Sequence, residues 1–297
     1  MTVDRRRLLR TTAQLATLTA AGGLLAGCGQ EAATGAGTAP SALSGPPHAS
    51  GPPGGASPLT PNMIPSATVT GTPTAASTSA PPATASSTVA PLPPLAAGTP
   101  VEVVAGPRDR PQVALTFHGQ GDPRIATALL EAAEQHGAQL TVLVVGTWLD
   151  QQPQMARRIL DGGHELGNHT LNHLDISSMS PDQAYAEITG CADRLKALTG
   201  SIGRWFRPSA AQYATAQVKE QARRAGYEHC LSFDLDPRDY ADPGAEVVQR
   251  RILGSIKAGS IVALHMGHQG TVDALPAVLD TLKQRGLAAV TASQLCS

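Results

Sequence analysis

Val113-Ala114-Leu115-Thr116-Phe117-His118 is the stretch that decides the fold. It is almost entirely apolar until it ends on an imidazole. A run without polar alternation suits a strand covered on both faces, the pattern of parallel sheets flanked by helices. Leu140-Thr141-Val142-Leu143-Val144-Val145 and Ile261-Val262-Ala263-Leu264 repeat it. Amphipathic segments lie between these runs. The clearest begins at Ser180-Pro181-Asp182-Gln183, an N-cap serine, a proline at the first helical position and a capping-box glutamine. Its apolar face is Ala184, Ile188, Cys191, Leu195 and Leu198, and Gly200 stops it. Further helices are expected near 124–136, 215–225, 246–258 and 272–285. Alternating strands and helices predict an α/β fold, either an open sheet or a barrel.

The segment before this domain reads differently. Arg5-Arg6-Arg7-Leu8-Leu9-Arg10 is a basic export-signal start with a twin-arginine look, and 13–27 is an apolar core too short to span a membrane. Leu25-Ala26-Gly27-Cys28 resembles a bacterial lipobox, which implies cleavage before Cys28 and lipidation of its thiol. The expected location is therefore extracytoplasmic, lipid-anchored to the outer face of the bacterial cytoplasmic membrane. Residues 32–101 contain no Asp, Glu, Lys or Arg and are mostly Pro, Ala, Thr, Ser and Gly. Such a composition cannot bury a core and predicts a disordered tether, about 45 Å in root-mean-square span. The expected organisation is an export signal at 1–28, a tether at 29–101 and one domain at 102–297.

Composition excludes several classes. The net charge is −1 and charged residues make up 15% of the chain, so neither nucleic acid nor an acidic surface is an expected partner. No glycine-rich nucleotide loop is present. Cys191, Cys230 and Cys296 remain once Cys28 is set aside. Their odd number argues against a complete disulfide framework, although one bridge is open to a protein outside the cytoplasm. Cys191 falls on the apolar helical face and is expected as a buried thiol.

Unusual polar residues gather where the strands end. His118 closes the first run. Gly167-Asn168-His169-Thr170-Leu171-Asn172-His173 follows a short strand candidate at 164–166. Arg207-Pro208, Asp236-Pro237-Arg238-Asp239-Tyr240 and His265 close three more. Barrel enzymes build their sites at strand C-terminal ends. Two imidazoles four residues apart can point the same way from one helical turn and share a metal ion, with Thr170 and Asn172 as outer-shell partners. Asp234 and Asp236 read as turn residues, and His136, His164, His229 and His268 as ordinary packing or surface residues. With aromatic residues at 3%, only Trp148, Trp205 and Tyr240 offer themselves for sugar stacking.

In this order, the motifs resemble those of the polysaccharide deacetylases, the NodB-like carbohydrate esterases of family four. The resemblance covers the chain from about Val113 to the C-terminus. It implies a distorted or incomplete (β/α) barrel and removal of acetyl groups from a cell-envelope polysaccharide, peptidoglycan- or chitin-like, with a divalent metal, zinc by preference. By the same resemblance His169 and His173 would hold the metal. Arg207 would orient the base, and a backbone N–H of Ser209-Ala210-Ala211 would face the oxyanion. Ser209 and Tyr240 would line the substrate site, and His265, tuned by Asp239, would protonate the leaving amine. The first motif departs from the family's T-F-D-D-G-P. Thr116-Phe117-His118-Gly119-Gln120-Gly121 lacks both the carboxylate that acts as base and the one that binds metal. His118 is left with two readings, a replacement base or a third metal ligand. Two histidines alone bind zinc weakly, and Arg207 faces an imidazole where the family offers it an anion. The resemblance thus predicts a metal-dependent deacetylase. The alternative is a non-catalytic lipoprotein that keeps the fold to bind glycan or a protein partner.

Overall fold

The computed structural model describes residues 91–297; the expected export signal, Cys28 and the tether up to residue 90 lie outside the described residues. In chain order the elements are β1 (Glu102–Val103), β2 (Gln112–Gly119), α1 (Pro123–Gln135), β3 (Thr141–Val144), α2 (Gly146–Gln151) and α3 (Gln154–Asp161). There follow β4 (Glu165–Asn168), α4 (Pro181–Thr199), β5 (Trp205–Phe206), α5 (Ala216–Arg224), β6 (His229–Leu231) and α6 (Ala245–Ser255). The chain closes with β7 (Ile261–His265), α7 (Gln269–Gln284), β8 (Ala288–Ala289) and α8 (Ala292–Leu295).

The strands pair in parallel in the order β1-β6-β5-β4-β3-β2-β7, with β8 beside the start of β2. The sheet curls but its two end strands do not pair. Leu235, just after β6, makes an isolated parallel bridge to Val262 of β7 and partly fills the gap. This is the incomplete, distorted (β/α) barrel that the family resemblance implies.

Strand alternation sorts the side chains into two layers. Val113, Leu115 and Phe117 of β2 face outward with Val142 and Val144 of β3, and pack under the helices. Ala114, Leu143, Trp205, Leu231 and Ile261 fill the inside. His118 shares the inward parity of Ala114, and Gly119 the outward parity of Phe117.

The helices follow their sequence signals closely. α4 carries a full capping box, with Ser180 Oγ accepting from Gln183 N and the Gln183 side chain accepting from Ser180 N, and Gly200 ends it at φ 81°. Two short helices, α2 and α3, fall where no strong signal was read. The expected domain start at 102 is late. Residues 91–101 already lie on the domain: Ala96 N donates to Cys296 O at 2.8 Å and Cys230 N donates to Val101 O at 2.7 Å. These backbone pairs need no charged side chain, so a charge-free composition did not reveal them. Among the described residues all three cysteines are free and buried, and no helix is long and apolar enough to cross a membrane. Burial pushes the Cys191 and Cys230 thiols up to about 12 and Cys296 to about 11.

Candidate active site

Four histidines from three strand ends meet at the C-terminal rim of the sheet. The His118 ring stacks on His169 with centroids 4.1 Å apart and meets His265 edge-on at 4.4 Å. His169 and His173 lie 4.8 Å apart, edge to face. The pair does not sit on a helical turn. It lies on the loop after β4, where Thr170 has φ 70° and His173 has φ 59°. Left-handed backbone is costly for non-glycine residues, most of all for a β-branched one, and such strain concentrates at functional sites. Outer-shell bonds pin the loop. Thr170 N donates to Asn168 Oδ1 at 2.8 Å, and His173 N to Thr170 Oγ1 at 3.2 Å. Glu187 of α4 accepts from both Asn172 N and Asn172 Nδ2. Thr170 and Asn172 thus hold the loop backbone, and the His169 ring is oriented by a different group.

That group is the Arg207 carbonyl. His169 Nδ1 lies 3.0 Å from Arg207 O, so Nδ1 carries the proton and donates. Its Nε2 is left as a lone pair, buried and without a partner. A buried orphan acceptor on a fixed ring is what a metal ligand looks like without its ion. Burial and, next, the neighbouring His173 hold the His169 pKa well below 6.5; burial, ahead of His265, also lowers that of His173. Both rings are therefore neutral near pH 7, the form that binds metal. Among the described residues the ligand atoms of His118, His169 and His173 form the one such group, all within 4.8 Å of one another. The imidazole nitrogens of His169 and His173 suit a divalent ion that accepts imidazole, zinc foremost.

The proton-handling side is equally ordered. His265 Nδ1 lies 2.8 Å from Asp239 Oδ1. The Asp239 carboxylate also accepts from His265 N, Thr271 Oγ1 and Tyr240 N, so it cannot turn away. The Tyr240 ring stands edge-on to His265 at 5.2 Å and is half exposed. Arg207 is wholly buried. Its Nε donates to Leu231 O, and its Nη2 to Thr116 Oγ1 and Ser232 O. Among the described residues no carboxylate pairs with it, and burial lowers its pKa to about 9. Its fourth contact is Nη1 to His118 Nε2 at 3.3 Å. The other His118 nitrogen, Nδ1, lies 2.8 Å from His265 Nε2. Both His118 nitrogens are therefore engaged.

The polysaccharide deacetylase family model matches residues 105–230. A peptidoglycan-N-acetylglucosamine deacetylase of Bacillus cereus is 34% identical over 201 residues, which are 64% of this chain and 90% of that protein. This chain belongs to the polysaccharide deacetylase family. A chitooligosaccharide deacetylase of Bradyrhizobium is 30% identical over 191 residues, 59% of this chain and 85% of the relative. Among solved structures, a CE4-family pseudoenzyme from Bacillus anthracis superposes with a TM-score of 0.63 at 23% identity, covering 67% of this chain and 69% of its own. At that identity the likeness concerns the fold.

Several expectations read from the sequence need correction here. Ser209 does not line an open site: its buried hydroxyl accepts from Thr170 Oγ1 at 3.1 Å and donates to Leu174 O. Trp148 and Trp205 are buried, and Trp148 Nε1 donates to Gly121 O, so neither offers a face to a sugar. Leu174 and Tyr213 are exposed on loops after β4 and β5. His268 was read as bland, yet its ring stands 5.9 Å from His265 and its Nδ1 bonds Asp242 at 2.7 Å. A cleft of about 870 Å³ lined by Leu92, His164 and Arg204 is bordered by none of the four site histidines.

The deacetylase first motif departs in geometry as well as in sequence. A Cβ on Gly119 would meet Val142 Cγ1 at 2.8 Å and Val144 Cγ1 at 2.9 Å, both in the outward layer. The position where the family keeps a metal-binding carboxylate therefore faces away from the histidines. A second close approach fixes the rim: a Cβ on Gly121, at φ 108°, would lie 2.5 Å from Gly267 Cα. Glycine there lets the loops after β2 and β7 touch backbone to backbone.

Proposed function

We propose that this domain is a metal-dependent hydrolase that removes N-acetyl groups from a cell-envelope polysaccharide of the N-acetylglucosamine type. One observation carries the reading: the buried, partnerless Nε2 of His169, fixed beside His173 and next to a His265–Asp239 pair. The names of the Bacillus and Bradyrhizobium relatives support the substrate class.

His169 and His173 would hold the ion. Bound there, a zinc-like ion polarises the acyl carbonyl and eases ionisation of water near neutral pH. The chain's own residues do the rest. Asp239 accepts the Nδ1 proton of His265 and so presents Nε2 as the reactive nitrogen. Nε2 takes the proton that the attacking water gives up, and Asp239 steadies the resulting imidazolium. Nε2 then returns that proton to the leaving nitrogen. Tyr240, half exposed beside His265, presents a ring to the bound sugar.

The competing reading is a non-catalytic deacetylase-fold protein that binds glycan or a protein partner. The absence of both first-motif carboxylates favours it. Protein purified without chelator separates the two. The hydrolase binds close to one zinc per chain and releases acetate from N-acetylglucosamine oligomers, and His265→Ala abolishes the release. Protein that takes up no zinc when it is supplied and releases no acetate from peptidoglycan or chitin fragments overturns the proposal.

We further propose lipid attachment at Cys28 and an extracytoplasmic, membrane-anchored location, on the support of Leu25-Ala26-Gly27-Cys28 alone. Radiolabelled palmitate incorporated by the wild type and not by Cys28→Ala is the result that agrees; equal labelling contradicts it.

A further inference from the structure

His118 occupies the place of the family's catalytic base, a pure hydrogen-bond acceptor. Its surroundings fix which of its nitrogens carries the proton. A guanidinium has donors only, so Arg207 Nη1 at 3.3 Å requires a lone pair on His118 Nε2. The single proton of the neutral ring is then on Nδ1, which lies 2.8 Å from His265 Nε2. His265 Nε2 faces that donor and so must accept, which leaves the ring proton of His265 on Nδ1, bonded to Asp239 at 2.8 Å. One direction runs through the site: Arg207 donates to His118, His118 to His265, and His265 to Asp239. Arg207 cannot rotate out of this chain. Its other donors are held by Leu231 O, Ser232 O and Thr116 Oγ1, and its plane lies against Phe233 at 5.4 Å.

We propose that position 118 has changed polarity: His118 is neither the base nor a metal ligand but an N–H donor, locked in that form by Arg207, that serves the acyl oxygen of the bound acetamido group. A ligand nitrogen needs a free lone pair, and the only one His118 has is taken by Arg207. The same bond closes Nε2 to an incoming proton. What remains is Nδ1–H. In the resting protein it donates to His265 Nε2. His265 Nε2 has a single lone pair, so the bond from His118 Nδ1–H must break as the water proton arrives there. Nδ1–H is then released to the nearest acceptor, the oxygen that acquires charge as the carbonyl is attacked. A donor that reaches that oxygen is worth up to on the order of 10²–10³ in rate. The catalytic use of this donor rests on the deacetylase reading above; the donor itself does not.

Asparagine and aspartate at position 118 test the polarity, since they match in size and differ in that only the amide donates. The zinc-loaded full chain is used throughout. Expected for His118→Asn are zinc affinity within about threefold of wild type, acetate binding retained, and kcat for acetate release within roughly tenfold. Expected for His118→Asp are acetate affinity and kcat at least roughly 100-fold below those of His118→Asn. Nitrogen-15 spectra of the histidines should show the proton of His118 on Nδ1. Acetate release that is higher in His118→Asp than in His118→Asn overturns the proposal in favour of a base. Zinc lost in His118→Asn overturns it in favour of a third ligand. A proton found on Nε2 in the wild type also overturns it. Acetate binding and the nitrogen spectra do not depend on turnover, so a protein that never releases acetate ends the functional reading and leaves this one decided by those two measurements.

Discussion

Replacing Gly119 with aspartate puts back the carboxylate that the family keeps for its metal, and the structure predicts that it fails to bind one. The reason is direction. In an uninterrupted strand, neighbours face opposite sides, and His118 already takes the inward side. A Cβ at 119 arrives 2.8 Å from Val142 Cγ1, 2.9 Å from Val144 Cγ1 and 3.2 Å from Val144 Cα. The last of these is backbone within β3 and cannot rotate away. Overpacking of this kind costs about 1–3 kcal/mol, which Gly119→Ala alone should show. Aspartate adds a carboxylate without a partner in an apolar layer, for a total of about 3–5 kcal/mol. With a urea dependence of about 2 kcal/mol per molar, the midpoint should fall by roughly 0.5–1.5 M for alanine and 1.5–2.5 M for aspartate. Zinc affinity, measured by chelator competition at low urea, should be no tighter than in the wild type. A wild-type midpoint together with tighter zinc binding would refute the assignment of Gly119 to the outer face.

Other perturbations follow from the same contacts. Asp239→Asn leaves His265 free to take the wrong tautomer; acetate release should fall on the order of 10²–10⁴-fold in kcat, while zinc content stays at wild type. Burial holds His118, His169, His173 and His164 below their ordinary pKa of 6.5. The unfolded chain therefore binds protons first as pH falls, and metal-free protein should lose stability from about pH 6.5 downward, with a lower urea midpoint at pH 5.5 than at 7.5. The buried Glu165 carboxylate accepts from Thr141 Oγ1, Ser293 N and Ser293 Oγ, and so ties the start of α8 to β3 and β4. Glu165→Ala should cost about 2–4 kcal/mol in urea unfolding by leaving those donors unpaired. The three domain thiols should resist a thiol reagent until the protein is unfolded.

Much of this was readable before any coordinates. The apolar runs at 113–117, 140–145 and 261–264 gave three parallel strands, and Ser180-Pro181-Asp182-Gln183 gave the start of α4 to the residue. The positions of His118, His169, Arg207, Asp239 and His265 were visible as an ordered set, because each falls at or after the C-terminal end of a strand. What stayed hidden depends on contacts between distant segments. β5 has only two residues, Trp205–Phe206, too few for periodicity to register. The left-handed backbone of Thr170 and His173 is imposed by Asn168 and Glu187, so the helical-turn geometry suggested by their spacing did not hold. The His118 tautomer depends on Arg207, 89 residues away. The orientation of Gly119 was legible in principle, since it follows His118 in one strand, but it decides the metal question only once β2 is known to run unbroken through Gly119.

The central claim is that this site hydrolyses acetamido groups when it holds a metal. The most direct test is acetate release from an N-acetylglucosamine oligomer by metal-stripped full-length protein, before and after one equivalent of zinc. The account predicts no release before the addition, release after it, and none from His169→Ala under either condition. Zinc bound at one equivalent with no acetate released would contradict it.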